Sequence, residues 1–216
     1  MISKYLALFR QTAHRDRALF LKDFAAQTAT VLKLRVPGLQ RLTVNVLDLA
    51  QPQGGKMEEA PPYDVVAEIW LDDAGGSRRV LSAPGCVAVY RVGTSIEKDE
   101  PYDLDAPPRV KLFSFITPVA GLTDREFRRH WDEHVPIALR VHTACAQYVR
   151  HFVEASLPDD APPVRGIGMI AMRTVHDLTL RMFNSPQGQA DVVADTAEFV
   201  GNRLVFHATE HRATCA

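Results

Sequence analysis

Residues 111–153 read KLFSFITPVAGLTDREFRRHWDEHVPIALRVHTACAQYVRHFV, and this stretch decides the fold. Lys111 to Thr117 is a short, mostly apolar run and predicts a strand. Thr123 and Glu126 have the Thr-x-x-Glu spacing of a capping box, so a helix starts there and runs to about Val141. Phe127, Trp131, His134 and Ala138 then fall at i, i+4, i+7 and i+11, on one face. His130 and His134, four apart, can also face one space. Pro136 lacks an N–H and crowds the carbonyl of Asp132, so a kink or break is expected beside His134. Gln147 to Ala155 predicts the next strand.

Working outward, the same element order occurs twice. In the second half, GIGMIAMR follows as a strand after a Pro-rich loop. VHDLTLRMFNS and DVVADTAEFV give one helix or two short ones, interrupted at Ser185-Pro186, and RLVFHATEHR is the last strand. In the first half, SKYLALFR is a strand. A helix over roughly 16–34 carries Phe20, Leu21, Phe24, Ala25, Thr28, Val31 and Leu32 at helical spacing, and Pro37-Gly38 stops it. LQRLTVNVLDL, YDVVAEIWL and CVAVYRVGTS are strands, separated by a Pro/Gly-rich loop at 51–62 and by DDAGGSRRVLSA, where any second helix must be stunted. IEKDEPYDLDAPP is polar, contains proline and suits a linker, which places a boundary near residue 105. The reading is α+β: two tandem ferredoxin-like βαββαβ halves, residues 1–104 and 105–216, forming an intrachain dimeric α+β barrel. KLFSFI, GIGMIAM and VVAEIWL are apolar at odd and even positions, which implies burial on both faces. Two sheets packed face to face within one chain meet that need, around a small ligand cavity. The alternative is a homodimer in which each half meets a half of another copy.

The bulk properties narrow the function. The chain has 216 residues and a formal net charge of −1, so no basic field favours nucleic acid. No stretch is long and apolar enough to span a bilayer, and the N-terminus lacks a signal-peptide core, so a cytoplasmic protein is expected. Cys86, Cys145 and Cys215 are odd in number and show no CxxC spacing, which fits reduced thiols. There is no P-loop, no GxGxxG and no HExxH.

Lys111, Phe113, Phe127, Trp131, His134, Pro136, His142, Tyr148 and Arg150 together make the segment resemble the EthD domain family, whose members are dimeric α+β barrels. Phe183, Ser185-Pro186, Asp195 and Phe199 extend the resemblance over most of residues 110–210. It implies a barrel handling small hydrophobic, often aromatic compounds without an organic cofactor. Related folds host cyclases, isomerases, heme-dependent enzymes and quinol-forming monooxygenases.

The expected function is a cofactor-independent lyase or isomerase, of decarboxylase or cyclase type, acting on an aromatic catabolic or polyketide intermediate. His134 is the expected acid/base group, because an imidazole titrates near neutral pH. His142 and Tyr148 are further catalytic candidates. Phe127, His130, Trp131, Arg150 and Phe113 are expected to bind substrate, with Arg150 able to fork onto a carboxylate or phenolate. Phe127 and Trp131 also read as plain core, and the histidines as surface residues. No metal is expected, since His130, His134 and His142 lack a spaced carboxylate or thiol partner. A non-catalytic metabolite-binding protein and a heme-dependent monooxygenase are the alternatives. In the first half Asn45, Tyr63, Glu68, Trp70 and Tyr90 could face the cavity. Glu68, inside an apolar strand, must either reach solvent or find a partner.

Overall fold

A computed structural model describes residues 2–10, 23, 26, 29, 30, 32, 36–47, 63–72, 76–101 and 109–213. Most of the helix expected over 16–34, the loop at 51–62, the bridge at 102–108 with its boundary near 105, and Cys215 lie outside the described residues. Asp23, Ala26, Ala29, Thr30 and Leu32 are helical.

Besides these helical positions, eight strands and four helices have both ends among the described residues, and they follow in chain order. They are β1 (Ser3–Phe9), β2 (Leu39–Val46), β3 (Val65–Leu71), α1 (Gly76–Leu81), β4 (Cys86–Asp99), β5 (Val110–Pro118), α2 (Asp124–Val141), β6 (Cys145–Leu157), β7 (Gly166–Met172), α3 (Val175–Leu180), α4 (Pro186–Thr196) and β8 (Val200–Ala213). The fold class is α+β, and the strands are hydrogen-bonded in the order β1-β3-β2-β8-β5-β7-β6-β4, that of an antiparallel barrel. Within residues 1–104 the order is β4-β1-β3-β2, and within 105–216 it is β8-β5-β7-β6. β4 runs on to Asp99, into the stretch read as linker. Its polar side chains are tied down there: Lys98 Nζ donates to the Cys145 carbonyl at 2.5 Å, and Asp99 accepts from Gln147 at 2.9 Å.

The chain forms two compact units. The first comprises residues 1–93, 153–163 and 207–216, and the second 94–152 and 164–206. In the first unit the antiparallel register sets Tyr5, Ala7 and Phe9 of β1 opposite Ile69, Ala67 and Val65 of β3. Leu42, Val44 and Val46 of β2 meet the same three residues. All are buried with Leu32, Val36, Val80 and Ala83 in one apolar core. The opposite face carries Lys4, Leu6, Leu8, Thr43, Asn45, Val66 and Glu68, since side chains alternate along a strand. Gly38, in the Pro37-Gly38 turn, has φ 79°, where a Cβ would be strained.

In the second unit β5, β7 and β6 pair with Ser114 opposite Gly168 and Arg150 opposite Gly168. Ile116, Phe127, Trp131, Phe152 and Phe199 form its core beneath α2. α3 and α4 are the two short helices, each with a side-chain cap, Thr174 and Ser185 respectively. Among the described residues no helix is long and apolar enough to cross a membrane.

Candidate functional site

α2 starts as its sequence dictates. The Thr123 hydroxyl accepts from the Glu126 amide at 3.3 Å, and the Glu126 carboxylate accepts from the Thr123 amide at 2.9 Å. Phe127, Trp131, His134, Ala138 and Val141 form its buried face. The expected break at Pro136 does not occur: the helix continues through it to Val141. Both Pro136 and Asp132 lie on the exposed side. The carbonyl that loses its partner can therefore bond to water, which removes most of the reason to break.

Trp131 is the centre of the buried face. It lies directly on the backbone of β7, where a Cβ added at Gly166 would come within 2.4 Å of the ring. Its Nε1–H donates to the Tyr148 hydroxyl at 3.0 Å. Its ring centroid is 5.4 Å from that of Phe127 and 5.3 Å from that of Phe152. Burial pushes the Tyr148 phenol well above its ordinary value.

One turn further on, His134 is 6 % exposed. Its Nδ1 is 2.6 Å from Asp195 Oδ2 on α4, and its ring is 5.7 Å from Phe199. A carboxylate can only accept, so Nδ1 carries the proton and Nε2 is left as the basic nitrogen of the neutral ring. Burial lowers the proton affinity of His134; the hydrogen bond to Asp195 opposes this, and the nearby Arg150 charge adds to it. Burial prevails, so the ring is a neutral base at physiological pH.

The other sequence candidates divide. His142 caps α2 and its Nδ1 bonds to the Met182 carbonyl at 2.7 Å; burial lowers its proton affinity also. His130 is part-exposed beside Glu198 at 3.7 Å and does not share the Asp195 contact. Arg150 is buried and held by Glu97 at 2.8 Å and Asp132 at 2.7 Å, over the Trp131 and Phe152 rings. Its fork is thus filled by the protein's own carboxylates. Phe113 is fully buried but points the other way. It pairs with Met169, and Met169 alternates away from Gly168, which faces Trp131. His151, also on that opposite face, bonds to Thr94 at 3.1 Å. The structure therefore gathers Phe127, Trp131, His134, Tyr148 and Arg150 on the helix-covered face of the second unit, with Phe113 on the other.

Asp195 and Glu97 were not picked out as site residues by sequence reasoning. Asp195 sits four before Phe199, but α4 ends at Thr196, so it is the turn after the helix and not helical spacing that brings both against His134. Glu97 lies in the stretch read as linker. A hollow of about 290 Å³ lies beside this region, lined by Val193, Thr196, Ala197, Val200, Gly201, Asn202 and Arg203. No group of three or more His, Cys, Asp or Glu residues suited to a metal occurs among the described residues.

These features define an α+β barrel protein with a buried histidine, paired to a half-buried aspartate, behind an aromatic wall. Residues 120–203 match the EthD domain family model. No curated protein matches the chain by sequence. Among solved structures it is similar to an anthrone oxidase-like protein, with 9 % identity and a TM-score of 0.64, covering 98 % of this chain and 93 % of the other. It is also similar to a protein from Fusobacterium nucleatum named as a monooxygenase (8 % identity, TM-score 0.56, 97 % and 91 % covered). A chlorite dismutase from Candidatus Nitrospira defluvii matches at 10 % identity and a TM-score of 0.53, over 96 % and 90 %. At these identities the likeness is one of fold.

Proposed function

We propose that the chain is a cytoplasmic enzyme that moves a proton on a small hydrophobic aromatic compound without an organic cofactor, a lyase or isomerase with His134 as its acid/base group. The observation that carries this reading is the 2.6 Å contact of His134 Nδ1 with Asp195. Asp195 fixes the tautomer, so Nε2 takes the substrate proton, and the resulting imidazolium gains a carboxylate partner. Trp131, Phe127 and Phe199 form the apolar wall, and Tyr148 and Arg150 hold Trp131 in place. The reading takes residues 1–104 and 105–216 as two joined ferredoxin-like halves, which the strand orders β4-β1-β3-β2 and β8-β5-β7-β6 support.

A second reading is oxygenation of the same class of compound. The names of the anthrone oxidase-like and monooxygenase-named neighbours favour it. The two readings share proton removal and differ in whether dioxygen is consumed. Anthrone, with an acidic methylene, serves as probe alongside a panel of hydroxyaromatic acids. Purified protein is incubated in D2O, and deuterium entry, product and oxygen uptake are followed. His134→Gln is expected to lower the rate by about 10²–10⁴-fold. Exchange without oxygen uptake supports the lyase/isomerase reading, and stoichiometric uptake supports the oxygenase. Equal rates for wild type and variant would end both.

A further inference from the structure

The helix-free face of the first unit carries a polar cluster unlike the face behind it. There the same strands present only apolar side chains to their core. Here Glu68 is 3 % exposed, and its Oε2 accepts from Lys4 Nζ at 2.7 Å. Its Oε1 accepts from Asn45 Nδ2 at 3.3 Å, and the same amide nitrogen donates to the Val66 carbonyl at 3.0 Å. Those two acceptors fix which way the amide is turned. Asn45 is fully buried, and its Oδ1 has no hydrogen-bond partner among the described residues.

A buried carbonyl oxygen without a donor is destabilising, and burying a charged pair rarely stabilises more than apolar packing would. Both occur here on one patch of a sheet that is otherwise well packed. Violations of this kind concentrate where a protein binds something. The unmet group is an acceptor, and the carboxylate beside it is also an acceptor. A carboxylate or phenolate ligand would meet two repelling oxygens, so the fitting group is a neutral donor. The register puts Leu6 beside both Glu68 and Tyr90, and Val66 opposite Asn45 and Leu8. On its other side β2 pairs with β8, which sets the buried Glu210 opposite Asn45. The acceptor thus has aliphatic and aromatic neighbours toward β3 and β1, and a further carboxylate residue toward β8, which also disfavours an anionic ligand.

We propose that this face of the first unit binds a small hydrophobic molecule bearing a hydroxyl donor, a phenol in its simplest form, with Asn45 Oδ1 accepting from the hydroxyl. The paired Lys4 and Glu68 hold the amide's nitrogen end and so present the oxygen. The site involves no residue of the His134 cluster and stands apart from that reading.

The test is calorimetric titration of the full chain with phenol and with anisole, which has nearly the same body and no O–H. Wild type is expected to bind phenol about tenfold more tightly than anisole. Asn45→Leu should erase that preference while anisole binding stays unchanged. His134→Gln should keep it, which separates the two sites. Should Asn45→Leu fail to fold, the wild-type and His134→Gln ratios decide alone. No phenol binding, equal binding of phenol and anisole, or loss of the preference in His134→Gln overturns the proposal.

Discussion

Gly166→Ala isolates the contact that seats Trp131. A Cβ at this position would lie 2.4 Å from Trp131 Cζ3, 2.9 Å from Phe127 Cζ and 3.0 Å from Phe127 Cε1. Carbon atoms pack best at roughly 3.5–4.0 Å, so the indole must retreat by on the order of 1 Å. It has no slack: Trp131 is 2 % exposed and boxed by Phe127, Phe152 and Phe199. Overpacking of this kind costs about 1–3 kcal/mol. For a chain of this size that is a fall in Tm of roughly 2–12 °C. Gly168 is the internal control. A Cβ there would be 3.4 Å from Trp131 Cζ2 and 3.9 Å from Ser114 Cβ, ordinary contact distances. Gly168→Ala should leave Tm nearly unchanged. Differential scanning calorimetry gives the two Tm values, and near-ultraviolet circular dichroism reports the indole environment. Equal losses for both variants, or none for Gly166→Ala, would refute the claim that the ring rests on the β7 backbone.

Two further predictions concern the same layer. His134 and His142 both have lowered proton affinity in the folded chain. On acidification the unfolded chain therefore takes up their protons first, from about pH 6.5 downward. Their contribution to stability is full above that pH and is lost as pH falls toward the depressed folded values, by up to about 1.4 kcal/mol per pH unit for each group. Urea unfolding between pH 7 and 5 should show this loss, and His142→Gln should reduce its slope; stability that rises on acidification contradicts it. Tyr148→Phe removes the acceptor of the Trp131 N–H and leaves that donor buried, which should cost about 1–3 kcal/mol in the same assay. A neutral outcome means the N–H finds another partner.

Much of the fold was legible because its signals are local. The Thr123-x-x-Glu126 box, the Phe127–Trp131–His134 spacing and the two-faced apolar strands each state their geometry within a few residues. What escaped depended on partners far away in the chain. β4 extends to Asp99 because Cys145 and Gln147 offer groups to polar side chains that, alone, look like linker. Pro136 is tolerated because of which side of α2 faces water. Arg150 looks free to bind a ligand until Glu97 and Asp132 close on it. Glu68 had two possible fates in the sequence, and burial is selected by partners on the neighbouring strands, Lys4 on β1 and Asn45 on β2. Phe113 and Trp131 both read as substrate-binding residues, yet strand alternation turns Phe113 to the face of the sheet opposite the one that α2 and Trp131 cover.

The way the chain is shared between its compact units limits how it can be dissected. The first unit takes three separate stretches of sequence and the second takes two, so β4, β6 and β8 each give residues to both. No scissor cut at a single peptide bond yields one intact unit. A fragment ending near residue 104 would lack residues 153–163 and 207–216, leaving β2 without the β8 segment that pairs with it. Such a piece would present a raw sheet edge, the usual template for aggregation. Fragment complementation, with both pieces refolded together, is the form of dissection this threading permits.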